Sequence, residues 1–281
     1  MQKRLSTYRL LACMAVVFLA GLPRVAAADE WDSCVKLSDD LAVAGCSRAI
    51  DSHQYMGRSL ARLYARRGGA YQTQGDLKHA MADFNESMRI DPTYPSAYLN
   101  RGNTWFHRGD FDRAVADYNQ AIQLDPKYGS AYHNRGSALG AKGELDRAIA
   151  DFDQAIQLDP KDAEAFYNRG SAWSAGGDFD RAIADYNQAI QLDPKHGSAY
   201  HNRGSAWGNK GDLDRAIADY NQAIRLDPKD TKAYYNRGMA WEKKRSLQAA
   251  LADFKVHAQL APSDPDGLKA VKRVSKELSA R

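Results

Sequence analysis

Apolar residues recur three or four positions apart in pairs of short segments that repeat along most of the chain. Within residues 129–162, Tyr132, Gly136 and Leu139 share one face of a first predicted helix, which runs from Ser130 to about Gly140. A Lys-Gly dipeptide follows, and glycine is common just past the C-terminus of a helix. The pattern therefore predicts an amphipathic helix that ends in a tight turn.

A second helix is predicted directly after this turn. It runs from Leu145 to Leu158 and carries leucine, isoleucine, alanine and phenylalanine on one face. Asp159-Pro160 ends it, because the residue before a proline is pushed out of helical geometry. The two helices form a hairpin with one apolar side. A single hairpin cannot hide that side, so we expect hairpins to stack on one another.

The hairpin pattern recurs every 34 residues, in six repeats from Ala61 to Asp264 without insertion or deletion. Asp-Pro marks the end of five repeats, and Asn-Arg-Gly recurs with the same spacing. The Asn-Arg-Gly motifs begin at Asn100, Asn134, Asn168, Asn202 and Asn236. A fixed period in this range is typical of a solenoid in which each repeat is one supersecondary unit.

The repeats resemble the tetratricopeptide repeat (TPR) family, whose pattern places aromatic, Gly, aromatic, Ala, Phe and Pro residues at fixed positions. The third repeat shows this pattern as Tyr132, Gly136, Leu139, Ala148, Phe152 and Pro160. The Gly, Ala and Pro positions are filled in all six repeats. The resemblance implies an all-α, right-handed superhelical solenoid of antiparallel helix hairpins, running from about residue 30 to the C-terminus.

One departure from the family is systematic, since arginine replaces the usual leucine before the repeat glycine. An aspartate follows each arginine sixteen residues later. In the family that position is packed, and an unpaired buried charge is costly. We therefore predict one structural ion pair per repeat, joining the two helices or adjacent repeats; an arginine ladder for anionic ligands is the alternative. The predicted pairs are Arg67–Asp83, Arg101–Asp117, Arg135–Asp151, Arg169–Asp185, Arg203–Asp219 and Arg237–Asp253.

Residues 1–28 have the pattern of a secretory signal peptide. Lys3 and Arg4 precede the apolar run Leu10–Leu22, and Ala26–Ala28 forms a small-residue cleavage site. The run is shorter than the roughly 20 residues of a membrane span. An uncleaved anchor is one alternative, and a lipoprotein box ending at Cys13 is another. We interpret the mature chain as exported, to the periplasm or outside the cell, with no membrane insertion after cleavage.

The charge of the mature chain argues against a nucleic-acid partner. The chain has 39 basic and 35 acidic residues. Four of the basic residues lie in the signal peptide, which has no acid, so the chain from Asp29 onward is neutral. It therefore lacks the clustered positive charge that phosphate binding needs.

The two ends of the repeat array are predicted to be caps. Residues 29–60 are interpreted as a degenerate hairpin, in which Cys34 and Cys46 take the places of Gly68 and Ala80 one period earlier. The helices of a hairpin approach closely there, so we predict a disulfide; two free thiols are the alternative. Residues 265–281 are predicted to form a capping helix with an apolar stripe of Leu268, Val271, Val274 and Leu278.

The family resemblance also implies where a ligand binds. The first helix of each repeat lines a concave groove, and the asparagine of Asn-Arg-Gly faces it. One residue earlier stand Leu99, His133, Tyr167, His201 and Tyr235. An asparagine offers both a donor and an acceptor, which suits the backbone of an extended peptide. The alternative is that these asparagines only satisfy local polar groups.

Catalysis, cofactors and metals are not expected. His133 and His201 occupy matching positions two repeats apart, too far for one metal ion. Ser137 and Ser205 follow these histidines, but no third member or oxyanion loop is evident. We predict a non-catalytic scaffold that binds a protein or peptide partner. A regulatory or targeting subunit of an envelope enzyme or assembly complex is the alternative, and a structural spacer is a weaker one.

Overall fold

A computed structural model describes residues 31, 32, 34 and 39–280, so the signal-peptide assignment to residues 1–28 lies outside the described residues. The described residues form fourteen helices and no strand, which confirms the all-helical fold class. The helices are α1 (Asp39–Asp51), α2 (Gly57–Thr73), α3 (Leu77–Ile90), α4 (Pro95–His107), α5 (Phe111–Leu124), α6 (Gly129–Ala141), α7 (Leu145–Leu158), α8 (Ala163–Ala175), α9 (Phe179–Leu192), α10 (Gly197–Asn209), α11 (Leu213–Leu226), α12 (Thr231–Lys243), α13 (Leu247–Leu260) and α14 (Pro265–Ser279).

Local sequence signals set the helix ends. Asp178 caps α9 by accepting a hydrogen bond from the Arg181 backbone N–H at 3.0 Å. At the other end of such a helix, Asp159 is extended (φ −133°, ψ 92°), as expected of a residue before proline. The hairpin turn between α6 and α7 needs Gly143, whose φ of +79° lies in the left-handed region.

The described residues divide into two compact units, up to residue 97 and from residue 98 onward, which we call the N-terminal and C-terminal units. In the N-terminal unit, α1 packs on α2 and α2 packs on α3. Its apolar cluster includes Cys34, Cys46, Ala49 and Leu63. Cys34 and Cys46 form a disulfide with their Cα atoms 4.4 Å apart.

In the C-terminal unit, the hairpins stack in chain order through contacts between each second helix and the next first helix. Within a hairpin, the ring on the second helix packs against the glycine of the first. A Cβ atom added at Gly136 would lie 2.9 Å from Phe152 Cε1. The repeat glycine is therefore required by close helix packing.

The C-terminal helix α14 packs on α13 with most of the predicted stripe, since Val274 is buried and Val271 and Leu278 are partly buried against the same cluster. Leu268 is wrong as a buried position, because half of its surface is exposed. The buried residues are Gly267, Ala270 and Val274. A Cβ at residue 267 would lie only 2.4 Å from Cδ2 of His257, so this ring selects the glycine face of α14.

Candidate functional site

The first helices of the C-terminal unit line its inner side. Each of α6, α8 and α10 contacts the first helix of the following repeat directly, whereas no pair of second helices in the described residues comes as close. A stack of hairpins whose first helices converge must curve toward them. We call the surface formed by the first helices α6, α8, α10 and α12, together with residues 98–107 of α4, the inner face.

Each repeat arginine is held by the aspartate sixteen residues later. Arg135 donates from Nε to Asp151 Oδ2 at 2.7 Å and from Nη2 to Asp151 Oδ1 at 2.6 Å. The same two-point contact occurs in all six repeats, namely at Arg67–Asp83, Arg101–Asp117, Arg135–Asp151, Arg169–Asp185, Arg203–Asp219 and Arg237–Asp253. These charges are therefore paired inside the hairpins.

The arginines also join adjacent repeats. Arg135 Nη1 donates to Asn119 Oδ1 on the preceding second helix at 2.6 Å. Arg203 and Arg237 make the equivalent contact to asparagine, whereas Arg169 reaches Asp153 at 2.6 Å. Hydrogen bonding to Asp185 is the main cause that raises the pKa of Arg169 above its ordinary value. The sequence spacing predicts the aspartate contact within each hairpin, whereas the contact to the preceding repeat is seen only in the structure.

The asparagines of the inner face contact the preceding repeat. Asn168 Nδ2 donates to His133 Nε2 at 3.1 Å, and Asn202 Nδ2 donates to Tyr167 OH at 3.1 Å. The contact recurs between Asn236 Nδ2 and His201 Nε2 at 3.2 Å. In these three contacts the two residue positions proposed for the groove lie together, with the asparagine beside the side chain 35 residues earlier.

The histidines of the inner face are oriented by aspartates at the start of the next first helix. His133 Nδ1 lies 3.2 Å from Asp162 Oδ2, and His201 Nδ1 lies 3.2 Å from Asp230 Oδ2. With Nδ1 protonated toward the carboxylate, Nε2 is free to accept the asparagine N–H. A chain of hydrogen bonds thus runs from the aspartate through the ring to the asparagine.

The remaining predicted groove residues have different surroundings. Tyr235 stacks near Phe254 and His257, with ring centroids 5.5 and 5.1 Å away. Asn100 lies in α4, where its backbone oxygen accepts a hydrogen bond from Thr104 Oγ1 at 3.1 Å. The hydroxyls of Ser137 and Ser205 donate to the backbone oxygens of the histidines four residues earlier. The hydroxyls of both serines are therefore engaged by the backbone of their own helix.

A cavity of about 310 Å³ opens on the inner face at the start of the C-terminal unit. It lies between α4, α5 and α6, and it is lined by Asn103, Phe106, His107, Tyr118, Asn134 and Ser137. Asn103 Oδ1 accepts hydrogen bonds from Tyr118 OH at 2.9 Å and from Asn134 Nδ2 at 2.8 Å. Burial raises the pKa of Tyr118, so its phenol stays protonated and donates.

Sequence reasoning missed Asn103, Phe106 and His107 as site residues, although a signal was available. Asn103 stands where the next three repeats have serine, and Phe106 stands where they have glycine or serine. The predicted groove residues are ones that recur from repeat to repeat. Half of the residues that line the cavity depart from the repeat instead.

Two further properties concern the described residues alone. None of their helices is long and apolar enough to cross a membrane. Their histidine, cysteine, aspartate and glutamate side chains do not gather in groups of three or more that could hold a metal ion.

Comparisons with family models identify the repeats over most of residues 61–265. A tetratricopeptide repeat model matches residues 133–197 and 201–265. A TPR repeat model matches residues 102–143, and a further tetratricopeptide repeat model matches residues 61–94. No curated protein matches the chain.

Several solved structures are similar to this chain. YrrB, a TPR protein with an unusual peptide-binding site, is 23% identical over 67% of this chain and 97% of its own, with a TM-score of 0.57. MamA is 28% identical over 59% of this chain and 96% of its own, with a TM-score of 0.54. A tetratricopeptide repeat protein from Parabacteroides merdae is 19% identical over 88% of this chain and 96% of its own, with a TM-score of 0.62.

Proposed function

Because this chain belongs to the tetratricopeptide repeat family, a fold generally used as a non-catalytic scaffold, we propose that it is an exported protein–protein interaction scaffold. It binds an extended peptide or protein segment along the inner face of its first helices. It acts without a catalytic group of its own.

The repeated amides of the inner face carry this proposal. Each of Asn168, Asn202 and Asn236 uses Nδ2 to hold a side chain of the preceding repeat. One amide N–H and the Oδ1 acceptor remain for a ligand. The hydrogen bond to the preceding repeat fixes the direction in which they point. Packed helices lie about 8–10 Å apart, which matches about three residues of an extended chain. A peptide in the groove would meet one such amide about every third residue.

The charge of the inner face favours a neutral backbone over a charged ligand. Along α6, α8 and α10, the positions around the asparagines are mainly serine, glycine, alanine, histidine and tyrosine. The guanidinium groups of the repeat arginines point toward aspartates within the hairpins, so they are not available to a ligand. The peptide-binding site of YrrB, which shares the fold, lends support to a peptide ligand.

Export rests on residues 1–28 and on the cysteines. The basic start, the short apolar run and the Ala26–Ala28 site together have the pattern of a signal peptide. The Cys34–Cys46 disulfide suits an oxidising compartment such as the periplasm or the exterior.

The test compares two triple variants that lose the same kind of side chain from opposite sides of the repeats. The groove variant replaces Asn134, Asn168 and Asn202 with Ala. The control replaces the second-helix residues Asn119, Asn187 and Asn221 with Ala; each of these accepts one hydrogen bond from a repeat arginine. Peptides are first selected from a random library on the wild-type protein, and their dissociation constants are then measured by fluorescence anisotropy.

We expect the groove variant to bind the selected peptides about ten- to a thousandfold more weakly, since three hydrogen bonds at about 0.5–1.5 kcal/mol each are lost. The control should bind as the wild type does. Circular dichroism checks that both variants are folded. Equal affinity in the groove variant would move the binding site away from the inner face. Selection of no peptide, with capture of one stoichiometric enzyme from periplasmic extract, would favour the targeting-subunit alternative.

A further inference from the structure

The cavity between α4, α5 and α6 differs in composition from the rest of the inner face. The repeats are otherwise close copies, with Ser137, Ser171 and Ser205 at one position of their first helices. The second repeat has Asn103 at that position. Three and four residues later it places Phe106 and His107, whereas the third repeat has glycine and alanine there. One larger polar group and two rings therefore distinguish this part of the inner face.

We propose that this cavity receives one uncharged aromatic side chain of a bound peptide, while Asn103 Nδ2 donates a hydrogen bond to a main-chain carbonyl beside it. This inference rests on the proposed function and gives the peptide a sequence preference. The cavity would also fix the register of the peptide at one end of the C-terminal unit.

The orientation of Asn103 supports the donor role. Its Oδ1 accepts from both Tyr118 OH and Asn134 Nδ2, which points the amide nitrogen the other way. No hydrogen bond of this nitrogen is found among the described residues, and the side chain lines the cavity. This arrangement is absent from the fourth and fifth repeats, where a serine hydroxyl faces the tyrosine instead. Ser171 lies 3.3 Å from the Tyr186 hydroxyl, and Ser205 lies 3.2 Å from the Tyr220 hydroxyl.

The aromatic preference follows from the wall of the cavity. The Phe106 ring is supported from behind by Phe111, with centroids 5.4 Å apart, and meets the His107 ring edge to face at 6.0 Å. Aromatic pairs gain about 0.5–1.5 kcal/mol beyond the area they bury, through offset or edge-to-face contacts. A third ring can join this cluster, whereas an aliphatic side chain gains only the burial.

The charge of the lining residues and the volume of the cavity further limit which side chain can bind there. The lining residues include no carboxylate, lysine or arginine, so a charged side chain would lose water without finding an opposite charge. The volume of about 310 Å³ is at the lower end of the range of about 300–1,000 Å³ for ligand sites, which fits a single side chain rather than a larger ligand.

The probes are three capped peptides, acetyl-Gly-Gly-X-Gly-Gly-amide with X as Phe, Leu or Glu. They are titrated into the ¹⁵N-labelled mature chain, and the side-chain amide signal of Asn103 is followed by NMR. The signal is assigned by its loss in Asn103→Ser. We expect the Phe peptide to bind about tenfold more tightly than the Leu peptide, with saturable shifts at this amide. The Glu peptide should bind most weakly.

The variants copy residues that the fold already carries elsewhere. Asn103→Ser keeps a hydroxyl facing Tyr118, as in the fourth and fifth repeats, and Phe106→Ser copies Ser174. Phe106→Ser should weaken the Phe peptide about tenfold and the Leu peptide less, because it removes the ring contact. Asn103→Ser should weaken both peptides, because the hydrogen bond that it removes goes to the main chain. A gain-of-function variant, Ser205→Asn with Gly208→Phe and Asn209→His, installs the cavity residues in the fifth repeat. A Cβ at Gly208 meets only Ala216 Cβ, at 3.9 Å, so the first atom of the new side chain has room. It should create a second Phe-selective site.

Two results would overturn the proposal: no preference for Phe over Leu, or unchanged Phe binding in both Asn103→Ser and Phe106→Ser. This failure can be told apart from failure of the proposed function. If library-selected peptides still depend on Asn134, Asn168 and Asn202 but show no aromatic preference, only the cavity inference fails. If peptide binding does not depend on these asparagines, the proposal that peptides bind along the inner face is wrong.

Discussion

Replacing one repeat arginine with the leucine that the family usually has at that position should destabilise this protein strongly. Arg135 makes two hydrogen bonds to Asp151 and one to Asn119. The Asp151 residue is only 5% exposed, and the Arg135 side chain is 20% exposed. Arg135→Leu removes the partner and leaves a buried carboxylate without a counter-charge.

The size of the loss follows from the burial of the pair. Breaking a buried ion pair on one side costs about 3–5 kcal/mol. Because the arginine is partly exposed and water can reach the carboxylate when it leaves, we expect the lower end, about 3 kcal/mol. Asn119 adds little, since its amide can return to water. Adding Asp151→Ala removes the unpaired charge, so the double variant should recover about 1–2 kcal/mol of this loss.

Urea unfolding, followed by circular dichroism, measures these changes. The control is the exposed pair Arg89–Glu86 on α3, where the arginine side chain is 72% exposed. Arg89→Ala should cost far less than Arg135→Leu, because solvent screens the exposed pair. The reasoning would be refuted if Arg135→Leu cost no more than this control. It would also be refuted if the double variant were no more stable than Arg135→Leu alone.

Three further predictions concern other parts of the chain. Burial raises the pKa of Tyr118, Tyr186 and Tyr220 above the ordinary 10.0. The stability that these tyrosines confer is therefore complete below pH 10 and is lost as the pH rises above it. Replacing all three with Phe, which the chain carries at the same repeat position in Phe152, should move the alkaline unfolding transition to higher pH in a circular dichroism titration; an unmoved transition would assign it to other groups. Arg245 has a φ of +60° where the preceding repeats have glycine, and its Nη1 lies 2.7 Å from Glu277 Oε1. Arg245→Gly should raise the free energy of unfolding by about 0.5–1 kcal/mol in urea, since relief of strain exceeds the loss of an exposed ion pair; a decrease would mean that the ion pair dominates. Reducing the Cys34–Cys46 disulfide should destabilise the N-terminal unit by about 3 kcal/mol, measured by hydrogen exchange of α1 and α2. Alkylation of both thiols without reductant would contradict the bridge.

The sequence by itself determined the helices and the contacts within a hairpin. In the third repeat the pattern predicts helices over 130–140 and 145–158, and the structure has Gly129–Ala141 and Leu145–Leu158. The partner of each repeat arginine could be predicted because the two residues lie on helices joined by one short turn. A fixed spacing of sixteen then sets their separation.

Contacts between hairpins depended on the tertiary structure. The sequence placed Asn168 and His133 on the same face, but their hydrogen bond depends on how far one first helix is shifted and rotated against the next. The same holds for Asn103, whose direction is set by Tyr118 and Asn134 on two other helices. No periodicity within one repeat contains this information.

The terminal helix shows the physical reason most directly. Val271, Val274 and Leu278 of the predicted stripe pack in the core, but at the start of the helix Gly267 is buried in place of Leu268. Adjacent residues point about 100° apart around the helix axis. Hydrophobicity favoured the leucine. In the structure Gly267 is buried instead, because the ring of His257 occupies the space that a side chain at residue 267 would need. The chain pattern thus fixes which segments are helical, while the fit of one surface against another decides which side of a helix is buried.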